Sequence, residues 1–591
     1  MNFVNHIHPE NEEIISEISD LIKTNNCECF SINIKYFNNW RSVCIALNKS
    51  KHFKKIKHLI LANMNLNITK INLLALYLKN NNHLESLNFR NNYLNSKCLE
   101  LIIDNILIDN KVLKSIDISK NKLDDKEIFA LLSKYFNLES NYLKELNISY
   151  NNVGAEHIRI LLSNTKIYKN KPNLESINQH TSLKDVGDYI DNSYDSSIDT
   201  FDYLDYHSKC NLERLNISGN LLKNEGLSVL VDYIKLLRYL SYLNISNNNI
   251  NNIKNLTKII SLNKDTLKHI DFSLNSINSN ISDNSHYNFL TSIINNNYVL
   301  CLNLDSCNLI NIPEQILMYY NKNANSLDSK SNIKELKISD VNINNFDSNK
   351  IDILFKIFPK LESLYIGYSI NLKSENNSLF YLLFKYKNEI KELYINSFFD
   401  DNIQIEYLTS FISSIDNIYK LNNNYNLKNF NFSNLKSIDL SFLKLNDKTL
   451  KILSKYFVYY CKFIENINLN NNNFTSTKYI NFIIKYCNNI KCLYLVNCFK
   501  NFKGNFSLIS KSFQKRRIIY YLNKIIYIDL ALLPKEYITK NLIKEIYYNN
   551  KINSKSNCIM YDNLIIDRNL KNIYNNCKTN YKNVHNFNRY N

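Results

Sequence analysis

An eleven-residue pattern that returns at nearly fixed intervals constrains this chain more than anything else in its sequence. It carries Leu, Ile or a similar apolar residue at positions 1, 4, 6 and 11 and Asn at position 9. Clear copies are LESLNFRNNYL from Leu84, LKSIDISKNKL from Leu113, LKELNISYNNV from Leu143, LERLNISGNLL from Leu212, LSYLNISNNNI from Leu240 and LKHIDFSLNSI from Leu267. Intervals of 28 residues from Ile56 to Leu84, 29 to Leu113 and 30 to Leu143 define one small unit copied head to tail. Such a unit cannot bury its apolar side alone and does so against its neighbours.

Within each copy the aliphatic residues alternate, so they point to one side of a short strand and the intervening residues to the other. The spacing then becomes helical. In the run from Asn220, the residues Leu227, Leu230, Val231 and Ile234 share one face. One strand and one helix per unit predict an α/β solenoid, a horseshoe with a concave parallel β-sheet and convex helices, because a helix is wider than a strand. Weaker copies begin at Ile56, Val299, Ile333, Leu361, Ile390, Leu435, Ile464, Ile490 and Ile525, and a degenerate one is placed at Cys29 with Ile32, Ile34 and Phe37 in register. The ninth-position residues Asn92, Asn121, Asn151, Asn220, Asn248, Asn275 and Asn472 stand where the strand turns away. Their amides are expected to satisfy buried loop backbone, a structural role.

These units resemble the ribonuclease-inhibitor-like subfamily of leucine-rich repeat proteins. NVGAEHIRILLSN from Asn152 and NLLKNEGLSVL from Asn220 are similar to its NxLxxEGxxxL helix start, and the resemblance runs from about Cys29 to Pro534. It implies a protein-binding array. It leaves function open, since the family includes inhibitors, GTPase activators, ubiquitin-ligase receptors, immune sensors and ciliary subunits. The Ran GTPase activator type ends in an acidic tail, whereas this chain ends in a basic one. Asn39, Trp40 and Arg41 are similar to the end of an F-box, the mark of a ubiquitin-ligase substrate receptor, but only some 28 residues precede the first degenerate unit.

Composition narrows the setting. Asn, Lys, Ile and Tyr are heavily used while Gly (6) and Pro (5) are scarce, a bias of the kind an A/T-rich genome produces. The first residues, MNFVNHIHPENEE, lack a basic-then-apolar signal, and no later stretch approaches a membrane span of about 20 apolar residues. The 13 scattered cysteines form no disulfide or zinc spacing and read as reduced thiols. A cytoplasmic or nuclear, non-secreted protein is expected.

Three regions fall outside the period. Residues 1–28 read as a capping segment with an amphipathic helix at 9–24, the solenoid runs 29–550, and 551–591 lack the repeat and read as a largely disordered basic tail. Within the solenoid, inserts are placed near 166–210, where seven aspartates from Asp185 to Asp205 meet no Lys or Arg, and near 417–432. From Lys500 onward 17 Lys and Arg face 5 acids, a surplus of 12 within the total of +18. The densest group is Lys511, Lys515, Arg516 and Arg517. It is read first as a solvated end and second as a surface for an acidic protein, RNA or anionic lipid.

No phosphate-binding glycine loop, HExxH or GxSxG is present, so no catalytic, cofactor or metal residues are assigned. The remaining task is to find a contact surface. Most units carry Asn or Asp at the fifth position, the middle of the strand, but later units carry Tyr365, Tyr394 and Tyr494 there, with Tyr368 at the strand exit. Strands lie about 4.8 Å apart, so Tyr365 and Tyr394 should stand side by side. Tyrosine is enriched in binding hot spots, and these four residues are the expected partner-binding patch.

Overall fold

In the computed structural model, the described residues are most of 56–163, 210–307, 312–323, 331–339, 348–367, 390–395 and 434–498, together with 29–31, Trp40, Cys44, 527–529 and 558–560. They fall into two compact units, Met1–Ile250 and Asn251–Asn591.

The first unit holds strands β1 (Cys29–Ser31), β2 (His58–Ile60), β3 (Ser86–Asn88), β4 (Ser115–Asp117), β5 (Glu145–Asn147), β6 (Arg214–Asn216) and β7 (Tyr242–Asn244). Each pairs in parallel with the next, and the registers align the same repeat position from strand to strand, as in Leu59, Leu87, Ile116, Leu146, Leu215 and Leu243. Helices α1 (Ile68–Leu78), α2 (Ser96–Ile102), α3 (Lys126–Phe136), α4 (Ala155–Ser163) and α5 (Lys223–Ile234) connect them. The second unit carries the ladder from β8 (His269–Asp271) through β9 (Cys301–Asn303), β10 (Glu335–Lys337), β11 (Ser363–Tyr365), β12 (Glu392–Tyr394), β13 (Ser437–Asp439), β14 (Asn466–Asn468), β15 (Cys492–Tyr494) and β16 (Tyr527–Asp529) to β17 (Cys558–Met560). Its helices are α6 (Ile253–Leu262), α7 (Ser285–Ile294), α8 (Ile312–Asn323), α9 (Ser348–Ile357), α10 (Asp447–Tyr460) and α11 (Lys478–Tyr486). Each unit is an α/β leucine-rich-repeat solenoid with a parallel sheet.

The core follows the repeat. In most of the described strands the fourth-position residue is buried while its two neighbours stay half-exposed, as in Ser86, Leu87 and Asn88. Apolar side chains at positions 1, 4, 6 and 11 meet the inner faces of the helices, for example Leu84, Leu87, Phe89 and Leu94 with Cys98, Leu99 and Ile102 of α2. Burying one such leucine contributes about 2 kcal/mol. Helix starts are capped by Asn where the turn allows it: Asn67, Asn95, Asn252 and Asn446 each accept from a backbone N–H of the first turn.

The ninth-position asparagines form the continuous polar thread that the sequence implied. Asn121 Oδ1 accepts from the N–H groups of Asn92 (2.8 Å) and Leu94 (3.1 Å) in the preceding repeat. Its Nδ2 donates to the carbonyls of Phe89, Ile118 and Ser119. Asn92, Asn151 and Asn220 repeat the arrangement. The flanking eighth and tenth residues take positive φ, as in Lys120 (56°) and Lys122 (57°), and many of them are Asn: Asn63, Asn65, Asn91, Asn152, Asn247, Asn249 and Asn471. Asn tolerates the left-handed region better than other non-glycine residues. The abundance of Asn is therefore partly a demand of the turn and not only a compositional bias. Where Cys replaces the ninth Asn, the thiol keeps one of these contacts: Cys307 Sγ donates to Phe272 O (3.2 Å) and Cys498 Sγ to Leu469 O (2.8 Å).

Four expectations change in detail. The degenerate first unit starts at Cys27 and not Cys29, because Cys29 pairs with His58, a third-position residue. A slip of two residues preserves the alternation, so the pattern alone could not fix this register. On α5 Val229 is buried and Val231 half-exposed. A Cβ on Gly226 would lie 3.4 Å from Ala155 Cα of α4, so burial on α5 spreads along the flank toward the preceding helix. Cys210, placed in the first insert, is buried in the array, and β5 pairs directly with β6, so the insert leaves the ladder unbroken. Strand β17 lies within 551–591, so the ladder continues past the expected end of the repeats. The segment 1–28 lies outside the described residues, as do residues 166–209 and 417–432 of the two inserts.

Candidate functional site

The open side of the second unit's sheet is lined by third- and fifth-position side chains, and the fifth-position row has a repeated local task. Asn303 Oδ1 accepts from Asp305 N (3.0 Å), Asp271 Oδ1 from Ser273 N (3.0 Å) and Asp439 Oδ1 from Ser441 N (2.8 Å). These turns stabilise the strand exit, which is why Asn or Asp recurs there. The first unit keeps the habit from β3 to β7 at Asn88, Asp117, Asn147, Asn216 and Asn244.

In the second unit the row departs from this rule at Lys337, Tyr365, Tyr394 and Tyr494. Tyr365 and Tyr394 are register partners on β11 and β12. Their rings stack with centroids 3.9 Å apart and planes 3° from parallel. Aromatic pairs left to themselves prefer offset or tilted contacts; here the strand spacing imposes the parallel one. Lys337 Nζ sits 4.5 Å from the centre of the Tyr365 ring and 3.0 Å from Glu335 Oε1. Burial, with the Tyr394 hydroxyl beside it, pushes the Tyr365 phenol up, so the Tyr365 ring is neutral at physiological pH. Tyr394 is followed in the ladder by Asp439, and its hydroxyl lies 3.5 Å from Glu392 Oε2.

The patch therefore holds two of the four tyrosines together. Tyr494 stands on β15, three strands beyond Tyr394, beside Asn468. Tyr368 and the basic group Lys511, Lys515, Arg516 and Arg517 lie outside the described residues. Sequence reasoning missed the carboxylates around the patch. Glu335, Glu392 and Asp439 face it, and Asp305 lies nearby, its carboxyl raised to about 6 by burial although Ser339 N–H and Lys337 oppose the shift. Burial would lower Lys337, but Glu335, Asp305 and Asp271 raise it. The signal available was Lys337 itself, a break in the Asn/Asp row. Trp40, noted for the F-box resemblance, is buried and donates from Nε1 to Lys70 O (2.8 Å), a packing role.

Among the described residues no cluster of His, Cys, Asp or Glu is arranged to hold a metal, and no helix is long and apolar enough to cross a membrane. No protein-family model and no curated protein matches the chain. Solved structures do. A leucine-rich-repeat protein of Leptospira interrogans is similar at 17% identity and a TM-score of 0.32, over 84% of this chain and 99% of that one. The TLR13–ssRNA13 complex is similar at 13% identity and a TM-score of 0.32, over 85% of this chain and 63% of that one. At these scores the fold assignment rests on the ladder and the repeat.

Proposed function

We propose that this chain is a non-catalytic scaffold or adaptor that binds a partner protein on the open face of its second unit, in a cytoplasmic or nuclear setting. The observation that carries the reading is the stacked, half-exposed pair Tyr365 and Tyr394, set where the repeat otherwise spends the residue on its own turn. A position released from a structural duty and given a large amphipathic ring fits a contact surface. Its repeats belong to the ribonuclease-inhibitor-like subfamily on this reading, supported by the unit length, the single helix per unit and the Asn-to-Cys exchange at the ninth position. The reduced, buried cysteines support the compartment. Affinity purification of the full chain tests the proposal: at least one stoichiometric protein should be retained by the natural chain and lost from the Tyr365→Ala, Tyr394→Ala double variant. An unchanged set of associated proteins would remove the surface.

A further inference from the structure

The chain already holds two of its own cations in one recurring arrangement, a cation over an aromatic ring of the next strand and held by a carboxylate from the cation's own strand or the strand before it. In the first unit the Arg214 guanidinium lies 4.1 Å from the centre of the Tyr242 ring, and its Nε is 3.5 Å from Glu145. In the second, Lys337 lies over Tyr365 and against Glu335, as described above. A ring face draws a cation by its quadrupole, and the adjacent carboxylate fixes the cation's place.

Tyr394 likewise stands beside carboxylates, here on its own strand and the following one. One face of its ring is covered by Tyr365. On the side of the next strand stands Asp439, and Glu392 lies on its own strand. Among the described residues no Lys or Arg lies over Tyr394. Glu392 Oε2 accepts from Ser363 Oγ (3.1 Å) and Asp439 Oδ2 from Asn468 Nδ2 (2.9 Å), which orient both carboxylates and leave lone pairs for a further donor. The charge at the third and fifth positions agrees. At the third and fifth positions of β8 to β15 the acids are Asp271, Glu335, Glu392 and Asp439 and the base is Lys337, in a chain whose net charge is +18. Of the lysines at the strand starts, Lys334 and Lys391 are engaged with Glu362 and Lys491 with Glu465, while Lys268 and Lys436 hold the same position before β8 and β13.

We propose that Tyr394, Glu392 and Asp439 seat an arginine side chain of a basic segment in the partner protein. This rests on the reading of the Tyr365–Tyr394 face as the contact surface and adds the chemistry of what it contacts. A guanidinium suits the seat better than an ammonium, because its plane can lie on the ring while its edge donates two hydrogen bonds.

The test measures binding of labelled eight-residue peptides to the full chain by fluorescence anisotropy, using alternating Gly–Arg, Gly–Lys and Gly–Glu probes. The Gly–Arg probe should bind at least fivefold more tightly than Gly–Lys, with no saturable binding of Gly–Glu. Tyr394→Leu should weaken Gly–Arg binding tenfold or more, Tyr394→Phe less than threefold, and Glu392→Gln with Asp439→Asn about fivefold, with circular dichroism unchanged. Binding of Gly–Glu, or Gly–Arg binding indifferent to Tyr394→Leu, overturns the proposal. Tighter Gly–Arg binding after Lys511, Lys515, Arg516 and Arg517 are changed to Gln also overturns it, since the chain's own basic segment would then be the occupant. If the purified partner depends on Tyr365 and Tyr394 but binds through an acidic or apolar segment, the contact surface stands and the arginine seat falls.

Discussion

The two units are built from one repeat yet treat the middle of the strand differently. From β3 to β7 the fifth position is Asn or Asp without interruption, and every one of those side chains closes the turn after its own strand. From β10 to β12 the row reads Lys337, Tyr365, Tyr394, and the turn contact is given up three times in succession. The first unit uses its open face to stabilise itself, and the second gives part of that face away. Each of the two tyrosines forgoes a turn hydrogen bond worth on the order of 1 kcal/mol, whereas at Lys337 the Ser339 N–H is taken up by Asp305 Oδ1 (2.6 Å).

The comparison can be broken most severely at the polar thread. Asn121→Ala would orphan the N–H groups of Asn92 and Leu94 and take one of two donors from the carbonyls of Phe89, Ile118 and Ser119, and the strand amides of β3 to β5 should lose about 3 kcal/mol of protection in hydrogen exchange. Cys307→Ala removes the weaker thiol hydrogen bonds to Phe272 O and from the Asn275 backbone and should cost about 1 kcal/mol around β8 and β9. Equal losses would mean that the thread is no stronger in Asn form than in Cys form.

Asp305 sharpens the contrast by pH. Its carboxyl is raised from 3.8 to about 6 by burial, so between those values the folded chain keeps a proton that the unfolded chain has released. The stability tied to this group is complete below about pH 4 and is lost as pH rises through 6. Asp305→Asn should flatten that decline and stabilise the second unit by about 2 kcal/mol at pH 7, read from urea unfolding at pH 4 and pH 7. An unaltered pH profile would contradict the assignment.

Restoring the consensus at the patch is a subtler test. Tyr365→Asn with Tyr394→Asn regains two turn contacts and loses one ring stack, so stability should shift by less than about 1 kcal/mol while partner retention disappears. A large destabilisation with binding intact would make the tyrosines structural. The smallest effect is expected at the surface ladder of ion pairs, where Glu465→Gln should change stability by less than about 1 kcal/mol because both side chains of the Lys491 pair are partly exposed.

Much of this was legible beforehand, for physical reasons that differ by feature. Strand placement at Leu84 or Leu212 follows from an in-out alternation that only one register satisfies, and the Asn thread follows from the unmet hydrogen bonds of any such turn. The start of the first unit was not legible, because Phe30, Ile32 and Ile34 fit the alternation in either of two frames. The juxtaposition of Tyr365 and Tyr394 could be read from the repeat alignment, since equal positions in neighbouring units must be adjacent in the sheet. The pairing of Lys337 with Glu335 over the Tyr365 ring depends on side-chain rotamers that no periodicity encodes.

The buried thiols have a practical consequence. Cys98, Cys210, Cys307, Cys461, Cys487 and Cys498 are enclosed at intervals along the chain, and burial holds Cys210 at about 11 and Cys307, Cys487 and Cys498 at about 12, so none is nucleophilic while its repeat is closed. Alkylation of each cysteine therefore waits for its own repeat to open. Timed labelling followed by peptide mapping would rank the repeats by their opening free energies and show where along the array the stack comes apart first.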